Sequence, residues 1–276
     1  MSFLAACHHR AADGALHHAI RGSTRSLLPV GQPLWRIEWR EGRGRVLVAS
    51  QDLEGGTLVF RERPLVVAPV VDTGDAANRG EAQAVASALL AMPAEATALL
   101  CSPAHVADTA EAASLAKAAD AFAAACPGDA SRARHCLGVA SVNVHSAARP
   151  TRGVLGVLSS MMEHCCSPSA MVTVGAEEGT AEAGGSLLSL RTLRRVPAGE
   201  ALSISYVVAY QPTATRQQQL RQQHGFTCGC VRCEEEPELV RCFVCPSCGE
   251  GPASPLHSVR GRGAQPTYSP TDSPTY

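Results

Sequence analysis

The chain has 276 residues, of which 45% are hydrophobic and 4% aromatic, and its formal net charge is −1. A chain of this length can bury one main core with an appendage. The balanced charge provides no basic excess to neutralise phosphates, which disfavours direct binding to nucleic acid. No apolar run approaches the roughly 18 residues of a membrane span, so no membrane insertion is expected.

Residues 1–30 contain a single acidic residue, Asp13, among several Arg, Ser and Ala residues. This composition is typical of an organelle transit peptide and equally of an unfolded N-terminal segment. Both interpretations stay open. Residues 1–32 are therefore predicted to lie outside the folded domain, as a disordered or targeting segment.

Patterns typical of strands begin at Pro33. The run PLWRIEW alternates, and RVLVASQDL and TLVFRERPLVVAPV predict two β-rich segments separated by the Gly55-Gly56 turn. Residues 75–137 are Ala-rich with apolar residues three and four apart, which predicts a helical insert. Short runs typical of strands return from residue 138, namely GVASVNV, SAMVTV, SLLSLRTL and ALSISYVV.

A cysteine cluster follows a short polar helix that is predicted over residues 214–224. Cys228, Cys230 and Cys233 form a CxCxxC pattern, which places three thiolates on one tight turn. A tetrahedral Zn²⁺ ion needs four ligands, and the cysteine pair at 165–166 can supply the fourth. The alternative is a set of reduced thiols buried in a core. The close spacing and the absence of a secretory signal favour metal binding in a reducing compartment.

The region after this cluster contains Cys242, Cys245 and Cys248. The pattern Cys-x-x-Cys-Gly resembles the first half of a zinc ribbon, but no second CxxC follows it. The sequence therefore predicts an incomplete second site and no second zinc ion. Residues 251–276 are predicted to be a disordered tail, because the run YSPTDSPTY cannot form a core.

Four segments, in this order, resemble the SET-domain family of protein-lysine methyltransferases. They are GRGRVLVASQDLEGGTLVFRERPLVVAP, MMEHCCSPSA, VPAGEALSISYV and RQQQLRQQHGFTCGCVRC. The last segment is most similar to the post-SET element of the SET-and-MYND subfamily. The resemblance covers about residues 33–250. Nothing between Pro64 and Gly138 has the paired cysteine spacing that the MYND zinc module requires, so this module is expected to be missing.

The resemblance implies a β-rich α+β fold, the SET fold, with small curled sheets and a pseudo-knot of two crossing segments. Residues 33–210 would form the SET domain, with the helical insert at about 75–137. Residues 211–250 would form a cysteine-rich post-SET region that zinc closes.

The resemblance also implies a reaction, which is methyl transfer from S-adenosyl-L-methionine to a lysine side chain. The partner would be a protein, histone or non-histone, that presents lysine on an extended segment in the nucleus or cytoplasm. The alternative is a SET-fold scaffold that has lost useful catalysis and acts through protein contacts.

Matches to the family motifs imply the site residues. Tyr206, in the ISY motif, matches the catalytic tyrosine, although it could also be an ordinary half-buried tyrosine. Phe226 matches the aromatic residue that covers adenine, or it anchors the cysteine cluster in a core. The implied cofactor-binding residues are Arg43, Gly44, Asn143, Glu163, His164 and Phe226, and the implied zinc ligands are Cys166, Cys228, Cys230 and Cys233.

Three positions depart from the family motif. Glu163 stands where the family has an asparagine that contacts the amino-acid end of the cofactor. A carboxylate could accept a hydrogen bond from the cofactor ammonium but would repel its carboxylate. Ser169 replaces the final asparagine and loses an amide that both donates and accepts. Cys165 replaces serine, which is expected to be a mild change.

Overall fold

A computed structural model describes residues 32–41, 43–69, 77–94, 97, 100, 110–126, 128–148, 151–176, 186–235, 243–244 and 252–253. The predictions for residues 1–31, for Cys242, Cys245 and Cys248, and for the end of the tail fall outside these residues. Contacts divide the chain into two compact units, Met1–Cys233 and Glu234–Tyr276.

The strands are short, as the β-rich part of the expected fold requires. They are β1 (Trp35–Arg40), β2 (Gly44–Ala49), β3 (Leu58–Glu62), β4 (Val66–Pro69), β5 (His145–Ala148), β6 (Thr151–Leu155), β7 (Glu163–His164), β8 (Ala170–Ala176), β9 (Ser186–Thr192), β10 (Ser203–Ile204), β11 (Phe243–Val244) and β12 (Pro252–Ala253). The helices are α1 (Ala77–Leu90), α2 (Ala110–Ala125), α3 (Ala130–Asn143), α4 (Thr213–His224) and α5 (Val231–Glu234), with a 3-10 turn at Ser159–Met161.

These strands form small separate sheets. In the first unit β1 pairs with β2, the order β3-β9-β8 forms a second sheet, and β4-β6-β5 forms a third, all with antiparallel pairing. Strands β7 and β10 pair in parallel, with Ser203 opposite Glu163 and Ile204 opposite His164. In the second unit β11 pairs with β12. The single parallel pair in the described residues brings together two chain segments about forty residues apart, and both contribute to the site described below.

Two hydrophobic cores support this arrangement. One lies beneath the hairpin β1–β2 and the sheet β3-β9-β8, and it includes Trp35, Leu47, Phe60, Leu190 and Leu202. The other lies between the third sheet and the helices and includes Val85, Leu89, Val139, Ala140 and Leu155. Burying each large apolar side chain contributes about 1.5–3 kcal/mol. The first core holds the strands from which the site residues project.

The helical insert extends further than the sequence predicted. The run GVASVNV was expected to form a strand from residue 138, but this prediction is wrong because α3 continues to Asn143. Asp129 caps α3, and its carboxylate accepts from the backbone N–H groups of Ser131 and Arg132. Residues of α3 are then buried at helical spacing, namely Ala133, Cys136, Leu137, Val139 and Ala140. This burial overrides the strand preference of the valines.

Glu62, at the end of β3, is a fully buried carboxylate. One carboxylate oxygen accepts from the backbone N–H of Leu158 at 2.9 Å, and the other accepts from that of Ser159 at 2.8 Å. A side chain at Gly156 would collide with this carboxylate, so glycine is required there. Glu62 therefore fixes the turn that leads directly into the site segment 162–166.

Replacing Glu62 with glutamine should destabilise the fold by about 1–3 kcal/mol, because an amide NH2 group cannot accept from a backbone N–H, whereas either oxygen of a carboxyl group can. Burial raises the pKa of Glu62, although the backbone hydrogen bonds oppose this shift. A carboxyl group whose pKa is raised on folding stabilises the folded state most below its unfolded pKa, and this contribution is lost as the pH rises through the folded pKa. The difference between the wild type and Glu62→Gln should therefore be largest in acid and should narrow towards neutral pH.

Urea unfolding at a series of pH values measures this difference. Glu41→Gln serves as the matched control, because Glu41 is exposed in the turn after β1. The control should leave the free energy of unfolding within about 0.5 kcal/mol of the wild type. A difference for Glu62→Gln that widens as the pH rises would contradict the raised pKa of Glu62.

Candidate active site and metal centre

Tyr206 lies just after β10, with its ring against both the first core and the cysteine cluster. Its hydroxyl donates a hydrogen bond to the carbonyl oxygen of Met162. Its backbone N–H donates to Nδ1 of His164 at 3.0 Å. Burial, with a smaller contribution from the charge of Glu163, raises the pKa of Tyr206. The phenol therefore stays protonated over the neutral pH range and acts as a fixed hydrogen-bond donor.

Tyr206 is one of four rings that lie together here, and we call them the aromatic cluster. They belong to His164, Tyr206, His224 and Phe226. The ring of Tyr206 lies 5.2 Å from that of His164 and 4.7 Å from that of His224. The ring of Phe226 lies 5.9 Å from His164, and 36% of this residue is exposed. The aromatic cluster therefore has a more buried side at Tyr206 and an accessible side at Phe226.

His164 connects the aromatic cluster with the cysteines. Burial lowers its pKa to about 4, with further lowering by His224 and Arg216, so its ring is neutral. Because Nδ1 accepts from Tyr206, the ring proton lies on Nε2, which is 3.3 Å from Sγ of Cys166. A ring N–H directed at a cysteine sulfur favours its thiolate form. One imidazole thus orients both Tyr206 and a candidate metal ligand.

The sulfur atoms of Cys166, Cys228, Cys230 and Cys233 all lie within 4.8 Å of one another. Zn–S bonds are about 2.3 Å long, which places the sulfurs of a tetrahedral site about 3.8 Å apart. The sulfurs of Cys166 and Cys233 are 3.5 Å apart. Four converging thiols therefore fit a tetrahedral zinc ion in both chemistry and spacing. The set is the one that the sequence predicted, and metal binding itself stays a prediction.

Thiol ionisation in this cluster is uneven. Burial raises the pKa of Cys166 to about 11. Burial also raises the pKa of Cys230, but hydrogen bonds with Cys166, Cys233 and Cys228 outweigh it and lower that pKa to about 7. Metal ligands bind as thiolates, so a cation must offset the cost of deprotonating Cys166. The cluster is thus costly to ionise fully without a positive ion.

Buried and half-buried polar side chains hold the cysteine turn against the body of the fold. Nη1 of Arg232 donates to the carbonyl oxygen of Cys166 at 2.7 Å. Nε2 of Gln217 donates to the carbonyl oxygen of Cys228 at 3.2 Å, and Nη2 of Arg216 lies 3.7 Å from Sγ of Cys233. These contacts orient the ligand-bearing backbone, as outer-shell residues do at metal sites.

Arg43 and Glu163 form an ion pair across the site. Nη1 of Arg43 lies 3.1 Å from one oxygen of Glu163 and 3.4 Å from the other. The side chain of Arg43 is 64% exposed, whereas that of Glu163 is 18% exposed. Gly44 follows with a φ of 75°, a left-handed conformation that glycine adopts without strain. The structure thus brings together two predicted cofactor residues of opposite charge.

Asn143 lies at the C-terminal end of α3, in the helical part of the fold. Its side-chain amide donates to the carbonyl oxygen of Val139 at 2.9 Å, one turn earlier in the same helix. The segment was expected to be a strand, so the surroundings of Asn143 differ from the expectation. Its contact with a cofactor stays a prediction.

Ser169, the second departure from the family motif, forms two reciprocal hydrogen bonds with Ser203. Oγ of Ser169 accepts from the backbone N–H of Ser203 at 2.9 Å, and Oγ of Ser203 accepts from the backbone N–H of Ser169 at 3.1 Å. Both residues are buried. These two hydrogen bonds join the two segments that meet at the parallel pair β7–β10. Ser169 therefore keeps a structural role without an amide.

Several residues of this site were not predicted from the sequence. His224 forms part of the aromatic cluster, and burial lowers its pKa to about 4. Its only signal in the sequence was its position at the end of α4, two residues before Phe226. The carbonyl group of Met162 and the side chains of Arg216 and Arg232 gave no signal, because their roles depend on contacts between distant segments.

The model of the SET domain family matches residues 44–207, and the chain belongs to this family. Mouse histone-lysine N-methyltransferase SMYD3 is 32% identical over 77 residues, which is 28% of this chain and 16% of the mouse protein. Chicken N-lysine methyltransferase SMYD2 is 31% identical over 85 residues, or 30% of this chain and 17% of the chicken protein. The matches thus span about a sixth of each relative's length. They confirm the resemblance to the SET-and-MYND proteins.

Solved structures support the fold independently. The SET domain of LSMT bound to lysine and AdoHcy has a TM-score of 0.58 at 11% identity, covering 85% of this chain and 60% of that one. Rubisco LSMT bound to sinefungin and monomethyllysine has a TM-score of 0.51 at 13% identity, covering 86% and 60%. The SET fold predicted from the sequence is confirmed. In the described part of the chain, no helix is long and apolar enough to cross a membrane.

Proposed function

We propose that this chain transfers methyl groups from S-adenosylmethionine to lysine side chains of a protein substrate. The observation that carries the proposal is the position of Tyr206 within the aromatic cluster, where its hydroxyl donates a hydrogen bond to the carbonyl oxygen of Met162. The relatives named above as lysine methyltransferases support the same reaction class. The fold neighbour LSMT has been solved with lysine and AdoHcy bound.

The chemistry requires few catalytic groups. S-adenosylmethionine would supply a methyl group carried on a sulfonium ion. A lysine amine has a pKa of about 10.4 and must lose its proton before attack. Buried surroundings such as those of Tyr206 favour the neutral amine by desolvation. Because the Tyr206 hydroxyl donates to Met162, its oxygen lone pairs remain to accept from an amine N–H and to align it for in-line transfer.

The remaining assignments follow from the same proposal. The cofactor would lie along Arg43, Gly44, Glu163, His164 and Phe226, with Asn143 as a further contact. The SET domain comprises residues 33–210, and residues 211–250 form a post-SET segment that zinc closes. The partner is a protein, histone or non-histone, that offers lysine on an extended segment, in the nucleus or cytoplasm.

Two measurements test this function. Calorimetry with S-adenosylhomocysteine should show one binding site per chain, and no binding at millimolar ligand would favour a scaffold without catalysis. Incubation with a lysate and isotopically labelled methyl donor should produce labelled methyl-lysine, detected by mass spectrometry. Lys117, exposed on α2, is the only lysine of the chain, so the variant Lys117→Arg excludes self-methylation as the source of label.

A further inference from the structure

Cys165 is a fifth thiol beside the four-cysteine cluster, which consists of Cys166, Cys228, Cys230 and Cys233. The side chain of Cys165 makes a hydrogen-bonding contact with that of Cys230. Cys165 is not a member of the converging set, and the family motif has serine at its position. Neither zinc binding nor methyl transfer therefore gives this thiol a role.

The fold holds the two thiols together through the backbone. The backbone N–H of Cys165 donates to the carbonyl oxygen of Ile204 at 3.0 Å, in continuation of the parallel pair β7–β10. The carbonyl oxygen of Cys230 accepts from the backbone N–H of Cys233 at 2.7 Å. The sulfur of Cys230 in turn accepts from the backbone N–H of Cys166. Because that N–H belongs to the peptide bond that follows Cys165, the sulfur of Cys230 lies directly against the Cys165 backbone.

Access to solvent and freedom to react also distinguish this pair. Cys165 and Cys230 are half-buried, whereas Cys166 and Cys228 are buried. Cys233 is half-buried too, but the sulfur 3.5 Å from it belongs to Cys166, which is itself a candidate metal ligand. Cys165 lies outside the ligand set, so a metal ion would leave its thiol free to react with a neighbouring sulfur. A thiolate next to a second, free cysteine is the arrangement that redox-sensing proteins use.

We propose that Cys165 and Cys230 form an oxidation site for hydrogen peroxide, at which the two sulfurs become a disulfide and Cys230 is withdrawn from metal binding. In the first step the Cys230 thiolate attacks the peroxide, so that an S–O bond forms and the O–O bond breaks. The departing hydroxide takes a proton from solvent. In the second step the sulfur of Cys165 attacks the resulting sulfenic acid, an S–S bond forms, and the oxygen leaves as water with the Cys165 proton. The two sulfurs lose two electrons, and these reduce the peroxide to two water molecules.

The disulfide changes how the cysteine turn is joined to the segment after β7. Without Cys230 the cluster has three thiolates, one fewer than a structural zinc site requires, so oxidation releases the metal. A covalent bond to Cys165 takes its place until a thiol reductant removes it. The replacement of serine by Cys165 is the change that creates the site, since serine forms no disulfide. This inference does not depend on methyl transfer, because it requires only the thiols.

Peptide mapping without reductant tests the site on zinc-loaded protein after brief treatment with hydrogen peroxide. The wild type should yield a peptide pair linked through Cys165 and Cys230, and elemental analysis should show the loss of zinc. Dithiothreitol and added zinc should then restore the original metal content. A disulfide confined to the four-cysteine cluster, such as one between Cys166 and Cys233, would overturn the inference. A wild type that forms no disulfide would overturn it as well.

Cys165→Ser isolates the role of the fifth thiol. Before treatment this variant should contain as much zinc as the wild type. After treatment the sulfenic acid at Cys230 has no partner and is oxidised further to a sulfinic acid, which dithiothreitol does not reduce. Most of the zinc content should therefore fail to return. Cys126→Ser, which changes a half-buried thiol of the helical insert, should form the disulfide and recover its metal as the wild type does.

Two results with Cys165→Ser would contradict the proposal. Full recovery of zinc after reduction would show that Cys165 does not capture the oxidised sulfur. A lower zinc content before treatment would make Cys165 a metal ligand rather than a free thiol. If the wild type bound no zinc, the zinc prediction would fail, and the position of the disulfide alone would decide whether the oxidation site exists.

Discussion

Replacing Cys166 with serine should abolish stoichiometric zinc binding and lower the free energy of unfolding by at least about 3 kcal/mol. Cys166 is fully buried and follows β7, whereas Cys228, Cys230 and Cys233 follow α4. A metal bound by all four would therefore fasten the chain after α4 to the segment that carries Glu163 and His164. Structural zinc supplies about 10–16 kcal/mol in zinc-finger peptides, so losing a ligand affects the folded state directly.

The expected loss of unfolding free energy should appear as a lower melting temperature. For a domain of this size each kcal/mol lowers the melting temperature by about 2–4 °C, so a loss of about 3 kcal/mol or more should make Cys166→Ser melt at least about 6–12 °C below the wild type. Because Phe226 and His224 lie next to the cysteine turn, we expect weaker binding of S-adenosylhomocysteine as well. Metal content is measured by elemental analysis and melting by calorimetry, on protein purified without chelators.

Cys126→Ser is the matched control, because Cys126 is a half-buried thiol in the helical insert, outside the four-cysteine cluster. It should retain one zinc ion per chain and melt within a few degrees of the wild type. The prediction that zinc joins these two segments would be wrong if Cys166→Ser kept its metal or if the wild type contained less than one zinc ion per chain. The four thiols would then be a reduced core cluster.

The four-cysteine cluster could be predicted from the sequence because short motifs identify each of its ligands. The spacing of Cys228, Cys230 and Cys233 alone indicates a metal clip, and a family motif marks Cys166. The strands β1, β2, β8 and β9 were likewise predicted from short local patterns, by alternation for β1 and by runs of strand-forming residues for the others. Features encoded within about ten residues were accessible to sequence reasoning.

The end of α3 shows where such reasoning fails. Val139, Val142 and Val144 favour a strand by propensity, yet α3 packs against α1 and buries Val139 and Ala140 there. The role of Met162 could not be predicted either, because its backbone carbonyl oxygen accepts this hydrogen bond only when the fold brings Tyr206 beside it. The same holds for Arg43, whose pairing with Glu163 could not be read from two motifs 120 residues apart.

Replacing Tyr206 with phenylalanine should reduce kcat for methyl transfer by about 100-fold or more, with the affinity for S-adenosylhomocysteine within about twofold of the wild type. The change removes only the hydroxyl, which donates to the carbonyl group of Met162. Without it the ring stays between His164 and His224, but the carbonyl oxygen loses its donor and the amine loses an acceptor. Because burial raises the pKa of Tyr206, the wild-type hydroxyl should show no titration of its own in the neutral pH–rate profile.

Tyr210→Phe is the matched control, because Tyr210 lies four residues further along and is 79% exposed. The same hydroxyl is removed from the same segment, so any general effect on folding or solubility should appear in both variants. Single-turnover methylation separates the chemical step from cofactor binding, and calorimetry measures the latter. Equal methylation rates for Tyr206→Phe and Tyr210→Phe would show that Tyr206 has no catalytic role. A large loss of cofactor affinity in Tyr206→Phe would instead make it a structural residue of the aromatic cluster, whose hydroxyl maintains the pocket through Met162.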